Sequence, residues 1–111
     1  MDGIIILDKP TGKTSQQIVQ IIKQKIGAKK VGHAGTLDPL ATGLLIILID
    51  KATKLSNIFL NQDKIYEVEA QLFIETDTDD ITGKIIKKEN PISFAPKQVI
   101  SVIQQFNNFS Y

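Results

Sequence analysis

At 111 residues with no cysteine, the chain has the length of one domain and offers neither a disulfide nor a thiolate zinc site. Its 42% hydrophobic content, mostly aliphatic, favours folding over disorder, yet no run approaches the ~18 consecutive apolar residues of a membrane span. The opening MDGIIILDKP has no basic n-region and no cleavage site, so a cytoplasmic location is expected. The net charge of +1 is unevenly spread. Residues 1–64 hold nine lysines and five aspartates, a balance of +4; residues 65–111 hold four lysines and seven acids, a balance of −3. The first part is therefore a modest candidate for a polyanion partner. Every basic residue is lysine, so this chain has no bidentate guanidinium for phosphate or guanine.

In chain order, Gly3–Leu7 (GIIIL) is a short apolar run that stops at Asp8-Lys9-Pro10 and reads as a buried strand. The following TGKTS ends like a phosphate-binding loop, but that motif requires glycine where Leu7 stands. It reads instead as a turn followed by a helix N-cap at Thr14 or Ser15. Ile18, Ile22 and Ile26, widened by Val19 and Ile21, form one apolar stripe of a core-packing helix over 15–26. Gly27 is its natural stop, and Lys25 suits the negative end of the helix.

Lys29–Gly43, KKVGHAGTLDPLATG, is the most informative stretch. Gly32, Gly35 and Gly43 punctuate it, His33 is the single histidine of the chain, and Asp38 precedes Pro39. Proline biases Asp38 towards extended backbone and fixes the next φ. Leu44–Ile49 (LLIILI) then reads as a buried strand, so a stiff loop holds one carboxylate at the mouth of a core strand. By spacing alone the loop fits a plain turn as well as a reactive site, since Asp-Pro commonly starts turns.

Asp50–Asn61 reads as a short helix with Leu55, Ile58 and Phe59 inward. Ile65–Ile74 alternates, with Tyr66, Val68, Ala70, Leu72 and Ile74 on one face, and is expected to be a half-exposed strand. Tyr66 at its start reads first as a core aromatic with its hydroxyl near the rim. Glu75–Gly83 (ETDTDDITG) is acidic and turn-rich. A calcium loop beginning at Asp77 would need glycine and glutamate where Thr82 and Lys88 stand, so a polar turn is the reading. Gly83–Lys88 reads as a returning strand. A last helix starts at Pro96, with Val99, Ile100, Ile103 and Phe106 on its apolar side.

The motif GHAGTLDPLATGLL closely resembles the catalytic motif of the TruB-type tRNA pseudouridine synthases. Three further stretches match in order: IIILDKPTGKTS, KIYEVEAQL and TDTDDITG. The resemblance implies an α+β fold, a mixed, largely antiparallel pseudouridine synthase-like sheet flanked by helices. It places the catalytic aspartate on Asp38 and the active-site tyrosine on Tyr66. It sets His33 and the neighbouring Gly35, Thr36 and Leu37 against the RNA. Lys9, Lys29, Lys30 and Lys64 are candidate phosphate contacts by charge and by proximity to the motifs.

The implied reaction is isomerisation of uridine to pseudouridine at position 55 in the tRNA T-loop, with no cofactor and no metal. The implied partner is tRNA, and the full-length protein is expected to be a monomer away from membranes. Family members run longer than this chain. Residues 1–111 are therefore expected to be the N-terminal part of one catalytic domain. Its remaining sheet, an arginine that pairs with the aspartate, and a PUA-type RNA-binding domain would lie outside. Tyr111 falls where a motif of a thumb-like insertion would begin. The competing readings are a non-catalytic RNA-binding fragment, a dyskerin-like guide-RNA-dependent synthase, and a structural α/β domain whose Asp38 loop is only a turn.

Overall fold

The computed structural model describes residues 1–110; Tyr111 and the insertion motif expected to begin there lie outside them. The chain divides into two units, one spanning Met1–Ile65 and one starting at Tyr66. The architecture is α+β, and every strand pairing among the described residues is antiparallel.

In the first unit, β1 (Gly3–Lys9) leads through a turn to α1 (Ser15–Ile26), then β2 (Val31–Ala34) and β3 (Gly43–Ile49). The sheet order is β1-β3-β2, so the most apolar strand lies in the middle. Ile5 opposes Ile47 and Leu7 opposes Leu45, which sets these four residues on one face. Ile18 and Val19 of α1 close on that face, and Ile22, Val31 and Leu37 complete the cluster. Burying such a side chain contributes roughly 1.5–3 kcal/mol each, and this small core is the main cohesive element of the unit.

The ends of α1 follow from its sequence. Thr14 is the N-cap: its side chain accepts from Gln17 N–H at 3.0 Å, and Gln17 Oε1 accepts from Thr14 N–H at 2.8 Å. Gly27 terminates the helix in the left-handed conformation.

β1 departs from its expectation. It runs on to Lys9 and is buried on one face only, leaving Ile4 and Ile6 exposed. The reason is its place at the edge of the sheet, with α1 covering a single face. β2 lies inside a stretch read as loop. Four residues including Gly32 make a weak strand signal, and it is the ladder to β3 that orders them.

After β3 the chain turns into a 3-10 helix (Asp50–Leu55) and α2 (Ser56–Leu60), in place of one continuous helix. Phe59 is half-buried as expected, whereas Leu55 and Ile58 stay exposed. The tighter winding of the first turns rotates those two away from the sheet.

In the second unit, β4 (Ile74–Thr76) pairs with β5 (Ile85–Lys88), and α3 (Pro96–Gln104) follows. The expected strand over 65–74 contracts to its last residue and two beyond. Tyr66–Gln71 has no regular structure, because a strand is stable only with a hydrogen-bonded partner, and none pairs with it among the described residues. The turn between β4 and β5 is well built. Asp80 accepts from Thr78 Oγ1, Thr82 Oγ1 and Thr82 N–H at 2.6–2.9 Å, and these bonds hold its carboxyl below the usual range. Asp77 accepts from Lys84 N–H at 2.8 Å. A Cβ on Gly83 would collide with the Thr78 hydroxyl and the Asp77 carboxylate, so only glycine closes this turn. Pro96 opens α3, but its apolar side finds little cover: Val99 is half-buried, and Ile100, Ile103 and Phe106 are exposed.

Candidate active site

The loop that carries Asp38 leaves β2 at Ala34 and enters β3 at Gly43. Gly35 turns it with φ 92°, a conformation that favours glycine. Asp38 to Ala41 close a turn through Ala41 N–H donating to Asp38 O at 3.0 Å, and Pro39 sets its second position.

The turn is clamped from one side by the segment between β1 and α1. Ser15 Oγ donates to Leu37 O at 3.2 Å and accepts from Leu37 N–H at 3.0 Å. Gly12 N–H donates to Pro39 O at 2.7 Å, and Thr11 Oγ1 donates to Leu40 O at 3.0 Å. Lys9 is fully buried, and its ammonium donates to Pro10 O at 2.8 Å, Lys13 O at 2.7 Å and Pro39 O at 3.2 Å. The DKPTGKTS stretch is thus a clamp, and it grips the backbone on both sides of Asp38. Leu37 packs into the core cluster while Asp38 stays exposed. No donor among the described residues reaches the Asp38 carboxylate, which leaves it facing solvent on a stiff support.

His33 sits on β2 opposite Ile47, half-buried, with Nδ1 2.8 Å from Gly35 O. A carbonyl only accepts, so Nδ1 carries the hydrogen of this bond, and Nε2 has no partner among the described residues. Lys64 donates to Leu60 O at 2.9 Å and Gln62 O at 2.8 Å, capping the end of α2, and its stem passes near Gly35.

The first unit therefore brings together Asp38, His33, Gly35, Thr36, Leu37, Lys9 and Lys64. Two expected contacts take other roles. Lys9 has spent all three ammonium hydrogens on carbonyls and has none left for a phosphate. Leu37 is an anchor, turned into the core. Lys29 and Lys30 precede β2, at the end of the sheet away from the loop. Tyr66 begins the second unit, is 64% exposed, and lies on irregular backbone where a strand was expected. Sequence reading missed Ser15, Thr11 and Gly12 as the clamp. One signal was available: Thr14 and Ser15 are both capping residues, only one can be the N-cap, and the second hydroxyl is then free for another task.

Residues 23–110 match the family model described as TruB family pseudouridylate synthase (N terminal domain). The chain belongs to this family. The match covers the Asp38 loop, the histidine and the acidic turn of the second unit. Relatives named tRNA pseudouridine synthase B include one from Mesoplasma florum, 52% identical over 98% of this chain and 38% of its own length. One from Aquifex aeolicus is 51% identical over 78% of this chain and 30% of its own. One from Salmonella paratyphi B is 43% identical over 94% and 33%. The chain thus spans between 30% and 38% of the length of these relatives. A chain in the structure of an H/ACA RNP bound to a substrate RNA containing 2'-deoxyuridine is 45% identical over 50% of this chain and 18% of that one, with a TM-score of 0.49.

Proposed function

We propose that this chain is the N-terminal catalytic segment of a tRNA pseudouridine synthase acting on uridine 55 of the T-loop, with Asp38 as its reacting carboxylate. The observation that carries the reading is an exposed, unpartnered carboxylate whose flanking backbone is clamped on both sides, within a family-matching motif. The N-glycosidic bond of the uridine breaks, the base turns, and a carbon–carbon glycosidic bond forms. The base keeps its formula, so no co-substrate is consumed. Asp38 serves as nucleophile or base, a role that suits a lone carboxylate better than the paired acids of glycosidases.

A uridine folded into the T-loop must leave its stack first, at a cost of a few kcal/mol. Tyr66 supplies an aromatic platform for the flipped base, contributing about 1–3 kcal/mol. His33, through Nε2, faces the RNA beside Gly35 and Thr36 and holds the loop open. Lys64 lies within reach of the same surface.

The deciding experiment follows tritium release from 5-tritiated uridine in tRNA, using full-length protein. Asp38→Asn is expected to lower turnover by about a thousandfold or more while RNA binding persists. Turnover within tenfold of the unaltered protein would remove Asp38 from the reaction. Residues 1–111 alone are expected to be silent in the same assay, because they contain no arginine to orient or charge-balance Asp38.

A further inference from the structure

The lysines of the first unit are not gathered at the Asp38 loop. Lys9 is buried there, Lys13 lies in the clamp and Lys64 caps α2, whereas Lys29, Lys30, Lys51 and Lys54 line one open cleft of about 600 Å³, together with Met1, Asp2 and Asp50. The register puts this cleft at the far end of the sheet. Ile49 pairs with both Gly3 and Val31, so Met1-Asp2, Lys29-Lys30 and Asp50-Lys51 meet at one end of β3. Gly43, where the Asp38 loop enters, is the other end. Six strand steps separate them, about 20 Å.

The cleft is a built feature. Asp50 accepts from Lys30 N–H at 2.8 Å and from the N-terminal amine at 3.2 Å, while Lys30 O accepts from Asp50 N–H at 2.8 Å. Asp2 accepts from Lys51 N–H at 2.9 Å. Both carboxylates of the rim are thereby committed to main-chain partners. None of the four lysine ammonium groups has a carboxylate partner among the described residues, and all four side chains are exposed. Lys51 and Lys54 are three apart on a 3-10 helix, where side chains at that spacing eclipse, so both project to one side. Four lysines and the amine against two carboxylates leave a local balance of +3. Such a local excess of exposed positive charge attracts anions. Lysine ammoniums without arginine forks or aromatics fit phosphate oxygens and read no base.

We propose that this cleft binds the sugar–phosphate backbone of the RNA substrate, away from the reacting uridine, as a second and sequence-independent anchor. The proposal rests on the RNA-modifying reading above. It separates the chain into an end that reacts and an end that grips.

The test titrates the chain into a fluorescein-labelled RNA hairpin at a series of KCl concentrations, reading anisotropy. Lys29→Gln, Lys30→Gln, Lys51→Gln and Lys54→Gln together are expected to flatten the slope of log K against log salt by about three and to weaken binding roughly tenfold or more. The four Lys→Arg changes should restore the slope. Lys84→Gln, Lys87→Gln and Lys88→Gln, in the second unit, should leave it unchanged. If the quadruple variant loses its circular dichroism signature, Lys51→Gln with Lys54→Gln carries the test, with an expected change of about 1.5. An unchanged slope in variants that stay folded overturns the anchor and leaves the RNA-modifying reading standing. Failure of the unaltered chain to bind RNA in a salt-dependent way also overturns the anchor, while turnover by the full-length protein decides the RNA-modifying reading separately. Preference for phosphatidylserine vesicles over RNA overturns the RNA assignment of the cleft.

Discussion

Asp38 and Tyr66 illustrate two ways in which a side chain becomes exposed. Asp38 is exposed because its neighbour Leu37 is buried; the loop spends one side chain on anchoring and frees the next. Tyr66 is exposed because its backbone lacks a ladder partner among the described residues. If Tyr66 acts by stacking, Tyr66→Phe in the full-length protein should bind RNA as before, and Tyr66→Leu should lose about 1–3 kcal/mol of complex stability. If its hydroxyl takes part in the reaction, Phe should lose turnover with binding intact. Filter binding and single-turnover kinetics separate the two, and normal behaviour of both variants would return Tyr66 to a packing role. Lys9 shows the limit of reading charge from sequence. A lysine beside a motif looks like a phosphate contact, yet three carbonyls claim this one.

At the scale of elements, the clamp and the Asp50 staple do most of the organising. Ser15→Ala strips the Leu37 N–H and C=O of their shared partner, and Lys9→Met leaves Pro10 O and Lys13 O unpaired. Each is expected to cost about 1–3 kcal/mol in denaturant unfolding, with faster exchange of the Leu37 amide in Ser15→Ala. Unchanged unfolding midpoints would mean that the clamp is redundant. The Asp50 staple adds a pH dependence. The Lys30 N–H bond, then the N-terminal amine, hold the Asp50 carboxyl below its ordinary value of 3.8. A folded pKa below the unfolded one stabilises the fold above the unfolded value, and the contribution disappears as pH falls through the folded value. Stability of the unaltered chain should therefore decline on acidification below about pH 4, and Asp50→Asn should make that decline shallower. Parallel acid limbs in the two proteins would dismiss the staple.

Across the molecule, burial is concentrated in one unit. Among the described residues, every buried one lies between Lys9 and Ile49, and none of residues 66–110 is buried. Slow hydrogen exchange is accordingly expected in β1, β3 and α1, and rapid exchange from Tyr66 onward, apart from a few amides of the β4–β5 hairpin. Uniform protection along the chain would require a packing partner for the second unit. The first unit has a stiff core beneath the Asp38 loop, whereas the second unit leaves its aromatics and aliphatics open: Tyr66, Phe94, Phe106 and Ile81 are all exposed.

What the sequence by itself determined is what local physics carries. A 3.6-residue apolar period, with capping residues at Thr14 and Ser15 and a stop at Gly27, located α1 over 15–26, and the bonds between Thr14 and Gln17 then identified the N-cap. Apolar runs located β1 and β3, and an unusual, long motif singled out Asp38. What only tertiary structure decided depends on partners distant in the chain. β2 exists because β3 lies beside it, whereas Tyr66–Gln71 stays irregular for want of any such neighbour among the described residues. Ser15 meets Leu37 across 22 positions, Lys9 meets Pro39 across 30, and the N-terminal amine meets Asp50 across 49. Hydrogen bonds between groups so far apart leave no periodic trace in the sequence, because each is set by where two elements cross and not by the spacing within either one. The lysine cleft is the same case, assembled from three chain segments that meet at the end of β3.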